Sequence, residues 1–167
     1  MRIGILQCDD VADELRPDFG NYPAMFESKL REACAEFQFT TYPVMLGRLP
    51  QSVEECDGYL VTGSRHGVND ELEWIGRLEK FVRLLAGTRQ KYVGICFGHQ
   101  VLATALGGEV AVAEQGWGVG ITTNRIDVEK AWMRPPQSSL KLVVSHRDQV
   151  CRLPQGMEVL ASSSFCP

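Results

Sequence analysis

The sequence is poor in most of what would mark a nucleic-acid, membrane or metal protein. Its 17 basic residues are outnumbered by 21 acidic ones, for a net charge of −4. There is therefore no cationic excess to neutralise phosphates, and no nucleic-acid partner is expected. No apolar run approaches the length that spans a bilayer, so no membrane association is expected either. The N-terminal "MRIGILQCDD" reaches acid too early for a secretory signal. Histidine occurs three times and never as HxxxH, and the six cysteines lack CxxC spacing. Both absences argue against a zinc site. Disulfide frameworks belong to small chains without a core, whereas 167 residues with 44% apolar content can build one. Reduced thiols, a cytoplasmic location and no metal or organic cofactor are the expectations.

What is present is an alternation of apolar runs and amphipathic stretches. "RIGILQC" (Arg2–Cys8) has the unbroken apolar character of a buried strand. In "YPAMFESKLREACAEF", Tyr22, Met25, Phe26, Leu30, Ala33, Cys34 and Phe37 recur at helical spacing. Asn21 is the predicted cap, and Pro23 falls in the first turn. Phe37–Val44 and Cys56–Gly63 read as the second and third strands. "ELEWIGRLEKFVRLLAG" gathers Leu72, Ile75, Leu78, Val82 and Leu85 on one face, with Asn69 or Asp70 as cap and Gly87 at its end. Lys91–Cys96 is the fourth strand, followed by a short helix over "FGHQVLATALGG". From Glu109 the pattern changes to the strand-like pieces "EVAVA", "GVGITTNRIDV", "LKLVVS" and "MEVLASS". Strands alternating with amphipathic helices predict an α/β fold with a mainly parallel sheet.

In such a sheet, ligands bind beyond the carboxyl ends of the strands. Two unusual loops fall there, "TGSRHG" after the third strand and "CFGHQ" after the fourth. Gly94-Ile95-Cys96-Phe97-Gly98 is G-x-C-x-G, the thiol counterpart of the nucleophile elbow. Gly94 and Gly98 supply the small neighbours that such a sharp strand-to-helix turn requires. Cys96 then lies at a helix N-terminus, whose positive end favours the thiolate a nucleophile must be. The N–H groups of Phe97 and of the Gly63 turn are candidates to hold an oxyanion. Ser64 and Arg65, in the same loop as Gly63, are candidate substrate contacts; the alternative for Arg65 is a salt bridge to Asp70 or Glu73.

"GICFGHQ" resembles the nucleophile motif of the class I glutamine amidotransferases, and "VTGSRHGVND" is similar to the oxyanion loop of a stand-alone branch of that superfamily. The branch holds GMP-synthase-like proteins and γ-glutamyl peptidases. "GWGVGI", "SHRDQV" and "VLASSSFCP" follow in the same order, so the resemblance covers nearly the whole chain. It implies a flavodoxin-like three-layer sandwich, one glutamine amidotransferase-like domain over residues 1–167. It also implies attack of Cys96 on a γ-glutamyl amide, a thioester intermediate, and hydrolysis. By the same resemblance, Gln100 holds the main-chain end of the glutamyl group and Gly116, Trp117 and Gly118 line the far side of the pocket.

The family's general base and its carboxylate come from a His-x-Glu segment, and no His-x-Glu occurs within these residues. The expectation is a domain incomplete at its C-terminus. His99 lies along the helix from Cys96, His66 is a loop residue beside the pocket that either bonds the backbone or contacts substrate, and His146 is expected to be structural or pocket-shaping. Trp74 and Trp132 are expected to pack, and Cys8, Cys34 and Cys56 to be inert core thiols. Three readings stay open: an amidotransferase-type hydrolase, a γ-glutamyl peptidase acting on glutathione-like conjugates, and a binding domain without turnover. A separate ammonia-accepting protein or a homo-oligomer are the associations considered.

Overall fold

In the computed structural model, which describes residues 1–166, β1 (Arg2–Gln7) is buried beyond its first residue. Burial on both faces is why its sequence shows no polar alternation. It pairs in parallel with β2 (Gln38–Pro43) on one side and with β3 (Gly58–Val61) on the other, and β3 pairs in parallel with β4 (Lys91–Gly94). The order β2-β1-β3-β4 is flavodoxin-like, with the strand order reversing between β1 and β3. A single turn, α1 (Arg16–Phe19), precedes α2 (Tyr22–Ala33), which links β1 to β2, while α3 (Glu73–Ala86) links β3 to β4. Right-handed crossovers leaving the sheet centre in opposite directions put α2 and α3 on opposite faces, giving the three layers. Helix α4 (Phe97–Ala105) follows β4 and packs with α3.

The helix ends show which local signals were decisive. Asn21 caps α2 as expected, its Oδ1 accepting from the Tyr22 N–H. The apolar positions of that helix are not buried, however, and Met25 is 44% exposed. Neither Asn69 nor Asp70 caps α3: the cap is Leu72, and Asp70 instead accepts from the Gly67 N–H. Five apolar side chains of α3, Ile75, Leu78, Phe81, Val82 and Leu85, are buried. At roughly 2 kcal/mol each, that face outweighs the missing cap by a wide margin. Cys8 and Cys56 are core thiols, but Cys34 is only half-buried and ends α2.

The chain divides into two compact units, the first being Met1–Leu106 and the second beginning at Gly107. The second unit is antiparallel. Strand β5 (Glu109–Val112) pairs with β8 (Asp148–Arg152), and β6 (Gly118–Ile126) pairs with β7 (Ser139–His146) and with the short β9 (Ala161–Ser162). The "MEVLASS" stretch is thus a strand only at its end, and the charged "DQVCR" forms a strand that its composition conceals. Among the described residues no helix is long and apolar enough to cross a membrane.

Candidate active site

The loops after β1, β3 and β4 meet at the carboxyl edge of the sheet in the first unit. Beyond Val61 the β1–β3 ladder continues through the Thr62 N–H to the Leu6 carbonyl, at 3.1 Å, and the Ile95 N–H bonds the Val61 carbonyl at 2.9 Å. These bonds carry the sheet's spacing directly into the site. Cys96 then turns the chain. It has φ +49° and ψ −102°, and is the one non-glycine residue with positive φ among those described. Such a conformation costs on the order of 1–3 kcal/mol and persists only where the surroundings impose it.

The surroundings are two glycines. A Cβ on Gly94 would stand 2.5 Å from the Gly98 carbonyl carbon and 2.6 Å from the His99 nitrogen, and a Cβ on Gly98 would stand 2.5 Å from the Val61 carbonyl oxygen. Backbone therefore touches backbone as α4 crosses the ends of β3 and β4, and no side chain fits between them. The Tyr92 hydroxyl donates to the Gly98 carbonyl at 2.7 Å and fastens the first turn of α4 to β4. Burial pushes that phenol's pKa up, so it remains a donor.

Cys96 is exposed, whereas its neighbours Phe97 and Gln100 are 1% and 7% exposed. The Gln100 N–H closes the first helical turn on the Cys96 carbonyl at 3.1 Å. Phe97 sits against Trp74 with ring centroids 5.5 Å apart, and Trp74 in turn meets His66 edge-on at 6.0 Å. Trp74 therefore packs, as expected, whereas Trp132 is 71% exposed and does not. Gly63 approaches the thiol from β3: a Cβ built on it lies 3.8 Å from the Cys96 Cβ. Tyr22, at the start of α2, lies within electrostatic reach of the same group. Partial burial raises its phenol, the Asp9 charge raises it further, Arg65 lowers it and the Cys96 charge raises it again.

The profile of the family described as Glutamine amidotransferase class-I matches residues 17–166. The chain belongs to that family. γ-Glutamyl peptidase 4 of Arabidopsis thaliana is 30% identical over 154 residues, covering 88% of this chain and 61% of that protein. A glutamine-hydrolysing GMP synthase subunit of Sulfolobus acidocaldarius is 36% identical over 113 residues, covering 68% of this chain and 58% of that protein. The chain thus spans about three fifths of the length of these curated relatives. Among solved structures, a glutamine amidotransferase of Thermotoga maritima shares the fold with a TM-score of 0.80 at 22% identity, over 98% of this chain and 68% of its own.

Arg65 pairs with neither Asp70 nor Glu73; its Nε lies 2.8 Å from Asp9 Oδ2. Asp70 is instead the partner of His66, Nδ1 to Oδ2 at 3.2 Å. The Ser64 hydroxyl donates to the Cys8 carbonyl at 3.3 Å and accepts from the His66 N–H at 3.1 Å. His99 is exposed on α4. In the second unit, Gly116 has φ +78°, and a Cβ on Gly118 would collide with the Phe165 ring. Trp117 is 63% exposed, with the Arg147 guanidinium 5.9 Å from its ring centroid. His146 Nδ1 meets the Asp148 carbonyl at 3.2 Å, and the ring stands edge-on to Phe165.

Sequence reasoning missed Asp9 and Thr62. Thr62 is fully buried and its hydroxyl accepts from the Cys8 N–H at 2.9 Å while donating to the Gly63 carbonyl at 3.0 Å. The one available signal was a polar pair, Asp9-Asp10, directly after a buried strand.

Proposed function

We propose that this domain cleaves γ-glutamyl amide bonds, in glutamine or a γ-glutamyl compound, with Cys96 as the nucleophile. The observation that carries the reading is an exposed thiol on a strained, positive-φ residue at the mouth of a nine-residue helix, at the carboxyl edge of a parallel sheet. The helix N-terminus stabilises the thiolate. Sulfur attacks the γ-carbonyl carbon, a C–S bond forms, and the carbonyl π pair moves onto oxygen. The N–H groups of Phe97 and Gly63 receive that oxyanion, and Gln100 orients the glutamyl group. Collapse breaks the C–N bond, the leaving nitrogen takes up the proton that the thiol gave up on ionising, and a γ-glutamyl thioester remains. Water then cleaves the thioester to glutamate and restores the thiol. The proton taken from that water needs a base. No residue described here is assigned that role, since a His-x-Glu pair does not occur within residues 1–167.

The likeness to γ-glutamyl peptidase 4 favours a dipeptide or glutathione-like substrate, whereas the likeness to the Sulfolobus GMP synthase subunit favours glutamine, with ammonia passing to a partner protein. All six cysteines are free thiols, which suits a protein working in the reducing cytoplasm. The test compares glutamate release from glutamine and from γ-glutamyl dipeptides by the full-length protein and by its Cys96→Ala variant. Release by the wild type and none by the variant is expected, and the preferred substrate separates the two activities. Equal release by both proteins would overturn the assignment of Cys96.

A further inference from the structure

Asp9 occupies a position that its exposure and partners make unusual. Its side chain is only 14% exposed, although it belongs to a loop at the sheet edge, and it serves both that loop and the one after β3. Oδ1 accepts from the Asp10 N–H at 2.8 Å, and Oδ2 accepts from the Arg65 backbone N–H at 2.8 Å. The Arg65 Nε reaches both oxygens, at 3.0 and 2.8 Å, and Arg65 Nη2 reaches the Asp10 carbonyl at 3.3 Å. Asp10 is itself fixed by Gln7 Nε2 at 2.7 Å and by Asn21 Nδ2 at 2.6 Å. The carboxylate is thus anchored on the β1 side before it touches the β3 loop. Gly63, whose Cβ position faces Cys96, lies two residues from Arg65 along that loop.

We infer that Asp9 is a positioning residue, which acts through Arg65 to hold the loop after β3 where the Gly63 N–H can meet the oxyanion formed at Cys96. The inference rests on the γ-glutamyl reading above and deepens it. A glycine-containing loop at a sheet edge has many accessible conformations, and a donor that must be found by the loop at each turnover stabilises a transition state less than one already in place. Two backbone N–H groups and one guanidinium converge on a single carboxylate from loops 56 residues apart in sequence, which removes that freedom. Burial on its own would raise the Asp9 pKa, but the hydrogen bonds from the Arg65 side chain and from the Arg65 and Asp10 N–H groups more than reverse this and lower it. The tie is therefore ionised throughout the neutral range.

The experiment measures two rates on the full-length protein, its Asp9→Asn variant, its Arg65→Met variant and the double variant. One is kcat and KM for release of p-nitroaniline from γ-glutamyl-p-nitroanilide. The other is alkylation of Cys96 by iodoacetamide, a displacement that forms no oxyanion. Asp9→Asn is expected to lower kcat roughly 10²-fold while KM stays within about threefold and alkylation is unchanged. The double variant should be no slower than the slower single one, because both remove the same tie. If Asp9→Asn does not fold, Arg65→Met asks the same question at a side chain that is 65% exposed. A kcat within about twofold of wild type, or a parallel fall in kcat and alkylation, would overturn the inference and leave the γ-glutamyl reading intact. A wild-type protein that releases no p-nitroaniline and forms no thioester would overturn both.

Discussion

Replacing Gly94 by alanine tests the elbow without touching the thiol. The new methyl group would sit 2.5 Å from the Gly98 carbonyl carbon and 2.6 Å from both its oxygen and the His99 nitrogen. All three are backbone atoms, so no side chain can rotate away. Ordinary contact begins near 3.4 Å, and the first turn of α4 must retreat by about 0.9 Å to reach it. That retreat pulls against the Tyr92–Gly98 hydrogen bond of 2.7 Å and against Phe97, which is 1% exposed. Overpacking of this kind costs about 2 kcal/mol, or a fall in Tm of roughly 4–8 °C in a chain of this size. Displacement of Cys96 from its donors should also slow its acylation by roughly 10²-fold. Thermal unfolding and release of p-nitroaniline from a γ-glutamyl anilide are the assays. An unchanged Tm together with an unchanged acylation rate would refute the idea that α4 is pressed directly onto the end of β4.

Gly76 provides the opposite case: it lies within α3 and a Cβ there meets nothing within 4 Å. Gly76→Ala should stabilise by about 0.5–1 kcal/mol through the unfolded chain, read as a rise in Tm. Thr62→Val keeps the shape but strands the Cys8 N–H and the Gly63 carbonyl, so it should destabilise by about 1–3 kcal/mol, with Thr62→Ser recovering most of the loss in a denaturant titration. The Asp9 carboxyl titrates below its ordinary value of 3.8, so its contribution is fully present above that pH and is lost as pH falls through the lowered value. The stability gap between wild type and Asp9→Asn should accordingly be constant from neutral pH to about pH 5 and close only below about pH 4.

The parts of this fold that could be read from sequence are those fixed by near neighbours. β1 and β3 announce themselves because burial on both faces leaves an apolar run, and Asn21 caps the helix that begins at the next residue. The elbow is legible for the same reason, since Gly94, Cys96 and Gly98 fall within five residues. Partners distant in sequence were not legible. Arg65 pairs with an aspartate 56 residues upstream instead of the nearby Asp70 or Glu73, because the parallel register sets the ends of β1 and β3 side by side. Asp70 in turn fails to cap α3 because its carboxylate is committed to the Gly67 N–H and to His66. Strand β8 escaped notice because Asp148, Gln149 and Arg152 leave only Val150 and Cys151 apolar in its five residues; register with β5 fixes it rather than any apolar pattern.

Competitive labelling asks whether Cys96 is a thiol set apart for attack on a γ-glutamyl carbonyl. The full-length protein is treated with a limiting amount of a glutamine-mimicking chloroketone, with and without a γ-glutamyl dipeptide, and each cysteine is followed by peptide mapping. Cys8 is 1% exposed, and burial pushes its thiol up to about 12, so it should stay unlabelled. Cys96 should be modified ahead of Cys34, Cys56, Cys151 and Cys166, and the dipeptide should protect it. Labelling of the exposed Cys151 at the same rate as Cys96, with no protection at either, would make Cys96 an ordinary surface thiol.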